Sequence, residues 1–112
     1  MIVVLARDLI IASRFAEAAA RERVTMLRID HPSELPETDR VRRLFVDWGA
    51  REQDWATSIR AWLARGSEAH RPSVTLFGPH TDLAAHADAR AAGLGPMMAR
   101  SRLVRELSQL VA

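Results

Sequence analysis

The side chains best suited to chemistry in this sequence sit where apolar runs stop. Leu44, Phe45 and Val46 end abruptly in Asp47, which is followed by Trp48 and Gly49. Ile2 to Ala6 stops at Arg7 and Asp8, Ser73 to Phe77 stops at Gly78, Pro79 and His80, and Met97 to Ala99 stops at Arg100 and Ser101. Short β-prone runs bounded in this way are the signature of buried parallel strands. In an open α/β sheet, ligands bind outside the carboxyl ends of the strands, near the point where strand order reverses. Asp47 is therefore the residue around which the others are judged, and Arg7, Asp8, Trp48, Phe77, Gly78, His80 and Arg100 form the expected pocket. A carboxylate among arginines can be held as an ion pair, whereas an arginine-bearing crevice favours an anionic ligand.

Other groupings carry less chemistry. His80 and His86 flank a helix start, and Asp82 and His86 stand four residues apart, but no His-Glu-x-x-His motif accompanies them and no metal is assigned there. The turn Gly93-Leu94-Gly95 is too short for a nucleotide fingerprint and precedes a strand, the wrong context for one. Arg40, Arg42 and Arg43 form the one basic cluster, read as the solvated start of a strand and not as a nucleic-acid patch. No Ser-His-Asp or Cys-His arrangement is present. Trp48 has two open roles, as a pocket wall or as a lid packed over a strand end.

The elements that must position these residues follow from hydrophobic periodicity. Ile2 to Ala6 is the first strand. Leu9 to Arg23 is helical, with Ile11, Phe15, Ala18, Ala19 and Glu22 at helical spacing. Val24 to Ile29 is the second strand, closed by Asp30-His31-Pro32. The link to the third strand contains Pro32 and Pro36, so it holds at most about two helical turns. Asp54 is the expected cap of a helix over Trp55 to Ala64, whose Trp55, Ile59, Trp62 and Leu63 share one face while Arg60 and Arg65 point away. Gly66 ends that helix. Pro72 opens the fourth strand, Thr81 caps an alanine-rich helix to Ala92, and Ser101 caps a final helix with the stripe Leu103, Val104, Leu107, Leu110 and Val111.

Five βα units with short loops imply a parallel sheet with helices on both faces and right-handed crossovers. The expected fold is α/β, a flavodoxin-like (βα)5 three-layer sandwich whose five strands run in the order 2-1-3-4-5. At 112 residues, 48% apolar and 27% charged, the chain fits one globular domain spanning residues 1–112 and not a disordered segment. No apolar run approaches the about 20 residues of a membrane span. Met1 to Ala6 lacks a basic leader and reads as a strand, not a signal peptide. Cysteine is absent, which excludes disulfides and thiolate metal sites, and a cytoplasmic location is the default expectation. The pI of about 10.8 overstates the basicity, because the net charge is only +2. All sixteen cations are arginines, and with no Lys, Tyr or Cys a small excess drags the pI upward.

Asp47 at the end of the third strand, Pro72 opening the fourth, and an amphipathic helix after a short fifth strand together resemble the receiver domain of bacterial two-component response regulators, over essentially the full length. The resemblance implies phosphorylation of the third-strand aspartate by a histidine kinase. It also implies a magnesium ion held by that aspartate and an acidic pair after the first strand, with a Ser or Thr after the fourth strand and a Lys after the fifth on the phosphoryl oxygens. Asp47 takes the phosphoacceptor position. The acidic pair falls on Arg7-Asp8, or on Ala6-Arg7 one residue out of step. The hydroxyl position falls on Phe77 and the lysine on Arg100, with Ser101 where the family usually has proline.

These departures cluster on the chemistry. Only Asp8 and Asp47 are left to hold magnesium, beside Arg7, and Phe77 cannot hydrogen-bond a phosphoryl oxygen. The sequence is therefore read as a stand-alone pseudo-receiver, a signal-transduction domain acting by protein–protein interaction, without phosphotransfer, catalysis of its own, cofactor, nucleic acid or membrane. It carries no recognisable DNA-binding output. Arg7 or Arg100 is expected to pair with Asp47 where the metal would be, so that Asp47→Asn destabilises the fold. The alternatives are a working phosphoacceptor using Asp47 with Asp8 and Mg²⁺, and a small flavodoxin-like enzyme or anionic-ligand binder lined by Arg7, Trp48 and His80. A homodimer is expected through the fourth helix, fifth strand and fifth helix, where Arg90, Arg100, Arg102 and Arg105 alternate with Asp88 and Glu106.

Overall fold

Ile2–Leu5, apolar at every position, forms β1 in the interior of the chain's sheet, and all four residues are fully buried in the computed structural model, which describes residues 1–112. Asp8 then turns the chain into α1 (Leu9–Arg21), its carboxylate accepting from the amides of Ile10 and Ile11. The helix stops short of the expected Arg23, which takes a left-handed φ of 56° and redirects the chain toward β2 (Met26–Ile29). β3 (Arg43–Asp47), α2 (Trp55–Ala64), β4 (Ser73–Gly78), α3 (Leu83–Ala92), β5 (Met97–Ala99) and α4 (Arg100–Val111) follow.

The five strands are all parallel and ordered β2-β1-β3-β4-β5, the flavodoxin-like arrangement. Side chains alternate across the pleat. Val3, Leu5, Leu44, Val46 and Leu76 pack with Trp55, Ile59, Trp62, Ala85 and Ala89 under α2 and α3. Ile2, Val4, Phe45 and Phe77 pack with Phe15, Leu103, Leu107 and Val111 under α1 and α4. Three layers result, with Asp47 two residues beyond Phe45 and so on the α1 and α4 side.

The fold departs from five helices in one place. Between β2 and β3 there are only two single 3-10 turns, Pro32–Glu34 and Thr38–Arg40, because the prolines at 32 and 36 forbid a continuous helix. The fourth and fifth helices of the sequence reading are therefore α3 and α4. Two caps also differ. Asp82, not Thr81, caps α3 by accepting from the Ala85 amide at 3.0 Å. α4 begins at Arg100, one residue before Ser101, with Ala99 as its cap and no side-chain bond there. Asp54 holds the cap position of α2 but makes no capping bond.

The arginines at the start of β3 have a structural task that composition did not suggest. Arg42 donates to the Val111 carbonyl at 3.1 Å and Arg43 to that of Ala112 at 3.0 Å. They satisfy orphan carbonyls at the end of α4 and complement its dipole.

Candidate functional site

Asp47 ends β3 beside β1 and β4, and the elements flanking that point on its own side of the sheet are the starts of α1 and α4. Their first polar residues are Asp8 and Arg100. The Arg100 guanidinium forks between them, Nη2 donating to Asp47 Oδ2 and Nη1 to Asp8 Oδ2, each at 3.3 Å. Asp8 serves both ends of this arrangement, since its Oδ1 is occupied at the α1 N-terminus. One cation thus bridges two carboxylates, the three groups standing at three different strand ends.

The three groups differ in their exposure to water. The Asp47 side chain is 7% exposed, whereas those of Asp8 and Arg100 are 35% and 40% exposed. Burial disfavours the carboxylate, and this desolvation pushes the Asp47 pKa above its ordinary value. Arg100 opposes the rise, Asp8 adds to it by like-charge repulsion, and the Ala50 backbone opposes it. The guanidinium therefore offsets part of a burial cost. Arg100 Nε is itself buried without a partner.

Above the strand ends the chain closes tightly. A Cβ built on Gly49 would lie 2.9 Å from Pro79 Cδ, and one on Gly78 would lie 2.7 Å from Met97 Sδ and 3.2 Å from the Gly49 amide. Glycine at both positions lets the loop after β3 settle onto the end of β4. Trp48 is packed over the strand end, 2% exposed, with Nε1 donating to the Ala85 carbonyl of α3 at 3.0 Å. Its ring joins the core under α2 and α3, on the face of the sheet opposite Asp47, and it also lines the groove between those helices.

Not every residue assigned to the pocket reaches it. Phe77 is fully buried, its ring tilted against Phe15 at 5.9 Å within the core under α1 and α4. Register explains this: Phe77 pairs with Asp47 across the sheet and shares its face, but its ring extends into the core that Phe45 also fills. Arg7 does not reach Asp47; its guanidinium pairs with Glu52 in the loop before α2. His80 is exposed, and its carbonyl accepts from His86 Nε2 at 3.1 Å. That bond ties the His86 ring on α3 to the loop that precedes the helix.

The pairing of Arg7 with Glu52 was not legible in sequence, because nothing in local spacing links residues 45 positions apart. A second cluster was also missed. His31, Glu52 and Asp54 place their ligand-type atoms within 4.8 Å of one another. The amide of Ser33 donates to His31 Nδ1 at 3.0 Å, which fixes the proton on Nε2 and directs it to Asp54 Oδ2 at 3.2 Å. Glu52 of this cluster is also held by Arg7, so the cluster is continuous with the Arg7 ion pair.

The interface expected from alternating charges is largely satisfied within the chain. Asp88 pairs with Arg51, Glu106 with Arg102 on α4, and Arg100 with the site itself. Arg90 and Arg105 remain without ion pairs. No helix is long and apolar enough to cross a membrane. No family model, curated protein or solved structure matches the chain, so its class rests on the fold, a five-stranded parallel flavodoxin-like α/β sheet with a bridged carboxylate pair at the strand ends.

Proposed function

We propose that the chain is a pseudo-receiver, a regulatory domain of the two-component type that acts by binding a protein partner and performs no phosphotransfer. The observation that carries this reading is Arg100 set between Asp8 and Asp47. In a receiver those carboxylates hold a metal and the aspartate takes a phosphoryl group; here a fixed cation already occupies the space between them. The donor set does not suit Mg²⁺. Asp8 has one oxygen on the helix start and the other on Arg100, and Asp47 has one of its two oxygens on the same guanidinium, so a metal would have to displace or sit against a fixed cation. Gly49 and Gly78 support the reading further, since the loops after β3 and β4 approach each other closely there.

The partner surface in this proposal is the face of α3, β5 and α4. Its leftover cations, Arg90 and Arg105, favour an acidic partner, and a second copy of the chain is the alternative occupant. The test of the reading is tryptophan fluorescence titrated with Mg²⁺ and then beryllofluoride, an acyl-phosphate mimic, with Asp47→Asn as control. Trp48 adjoins the aspartate and is the reporter. The pseudo-receiver reading expects no saturable response; a saturable response lost in Asp47→Asn establishes the phosphoacceptor alternative.

A further inference from the structure

A groove of about 540 Å³ lies between α2 and α3, away from the Asp8–Asp47–Arg100 cluster, and Trp48, Arg51, Ala56, Arg60, Asp88 and Ala92 line it. That volume is in the range of small-molecule pockets, about 300–1,000 Å³. The space exists because small side chains face each other across it, Ala56 on α2 and Ala91 and Ala92 on α3, with the edge of Trp48 as one wall. Arg51 is fixed beside that wall by three contacts. Its guanidinium lies 5.5 Å from the Trp48 ring, donates to the Trp48 carbonyl at 3.1 Å and pairs with Asp88. Such a side chain has already lost its rotamer freedom and presents a preorganised polar edge.

The charges around the groove leave one remainder. Arg51 is balanced by Asp88, and Glu52, also on the rim, is balanced by Arg7. Arg60 has neither an ion pair nor a hydrogen bond, so a single uncompensated cation faces a cleft with an alanine-lined floor. The geometry points to a binding site for a small amphiphilic monoanion, a compact apolar body carrying one carboxylate or sulfonate. Its apolar part sits among Ala56, Ala91 and Ala92 over the Trp48 edge, and its charge sits on Arg60. This site is independent of whether Asp47 can be phosphorylated.

The probe is anilinonaphthalene sulfonate, read by energy transfer from the tryptophans, against its uncharged parent anilinonaphthalene. The expected result is saturable one-site binding of the sulfonate, at least about tenfold tighter than the parent, as loss of a charge-assisted contact requires. Arg60→Gln erases that difference, and Ala91→Phe, which fills the exposed mouth of the groove without touching the core, abolishes binding of both dyes. Equal affinity for the two dyes, undiminished sulfonate binding by Arg60→Gln, or binding that persists in a folded Ala91→Phe variant overturns the assignment, as does an absence of binding to the native chain.

Discussion

The guanidinium of Arg100 lies 3.3 Å from Asp47 and, through its other nitrogen, 3.3 Å from Asp8, so that the first residue of α4 ties the end of β3 to the start of α1. Removing it leaves two carboxylates facing each other with no cation between them. Breaking a fully buried pair by deleting one partner costs about 3–5 kcal/mol. Arg100 is 40% exposed, so solvent screening reduces the expected loss for Arg100→Met to about 1–2 kcal/mol at neutral pH. The double variant Arg100→Met/Asp47→Asn recovers much of it. Urea denaturation of the four proteins measures a coupling of at least about 0.5 kcal/mol, whereas additive single effects contradict the pairing.

Asp47 sets the sign of a pH dependence. Its folded pKa is raised, with burial the leading cause, so the folded state binds the proton more tightly than the unfolded state. The stabilising contribution is then fully present below the unfolded pKa and is lost as pH rises through the folded one. This revises the expectation that Asp47→Asn simply destabilises. The variant compares best with the native protein at neutral pH, and the comparison shifts toward the native protein on acidification from about pH 7 to about pH 4. Melting curves of both proteins across that range check it. A deficit of the Asn variant that is largest at neutral pH and closes in acid means that the ion pair outweighs burial.

The loop packing over β4 depends on Gly49. An alanine there brings its Cβ to 2.9 Å from the ring of Pro79, which cannot swing aside as a long side chain would. Gly49→Ala is expected to cost about 1–3 kcal/mol by overpacking. A melting temperature within a degree or so of the native value would remove the close approach from the account.

Trp48 connects the residue after Asp47 to α3 through its indole N–H on the Ala85 carbonyl. Trp48→Phe keeps an aromatic ring but loses that bond and part of the buried volume, with an expected cost of about 1–3 kcal/mol. Equilibrium unfolding followed by circular dichroism is the measurement. A phenylalanine variant as stable as the native protein contradicts a structural role for the indole N–H.

The sequence carried the sheet because strands buried on both faces are written as unbroken apolar runs, and the strand order follows from short right-handed crossovers. Pro32 and Pro36 limited the second crossover to about two helical turns, but the expected count of five βα units still overstated it, since only two single 3-10 turns form there. Asp47 was legible as the residue where such a run ends, and Arg100 as one of two arginines able to meet it. The choice between them was not legible, because Arg7 is drawn off by Glu52 from a loop far along the chain. Phe77 was legible as the neighbour of Asp47, but that its ring joins the Phe15 and Phe45 cluster was not, because sequence shows adjacency without the packing partners. Thr81 and Asp82 are both competent caps one residue apart, and only the backbone decides between them. The groove between α2 and α3 left no local signal, since it is made by alanines that read as helix formers.

The most direct test of the central claim, that Arg100 stands where a metal would, is thermal melting of the native chain and of Arg100→Ala with and without millimolar Mg²⁺. The account predicts no Mg²⁺ stabilisation of the native chain, and stabilisation of Arg100→Ala, whose freed Asp8 and Asp47 oxygens become available to the ion. Stabilisation of the native chain by Mg²⁺ that disappears in Asp47→Asn would contradict it, because the metal would then bind with Arg100 in place.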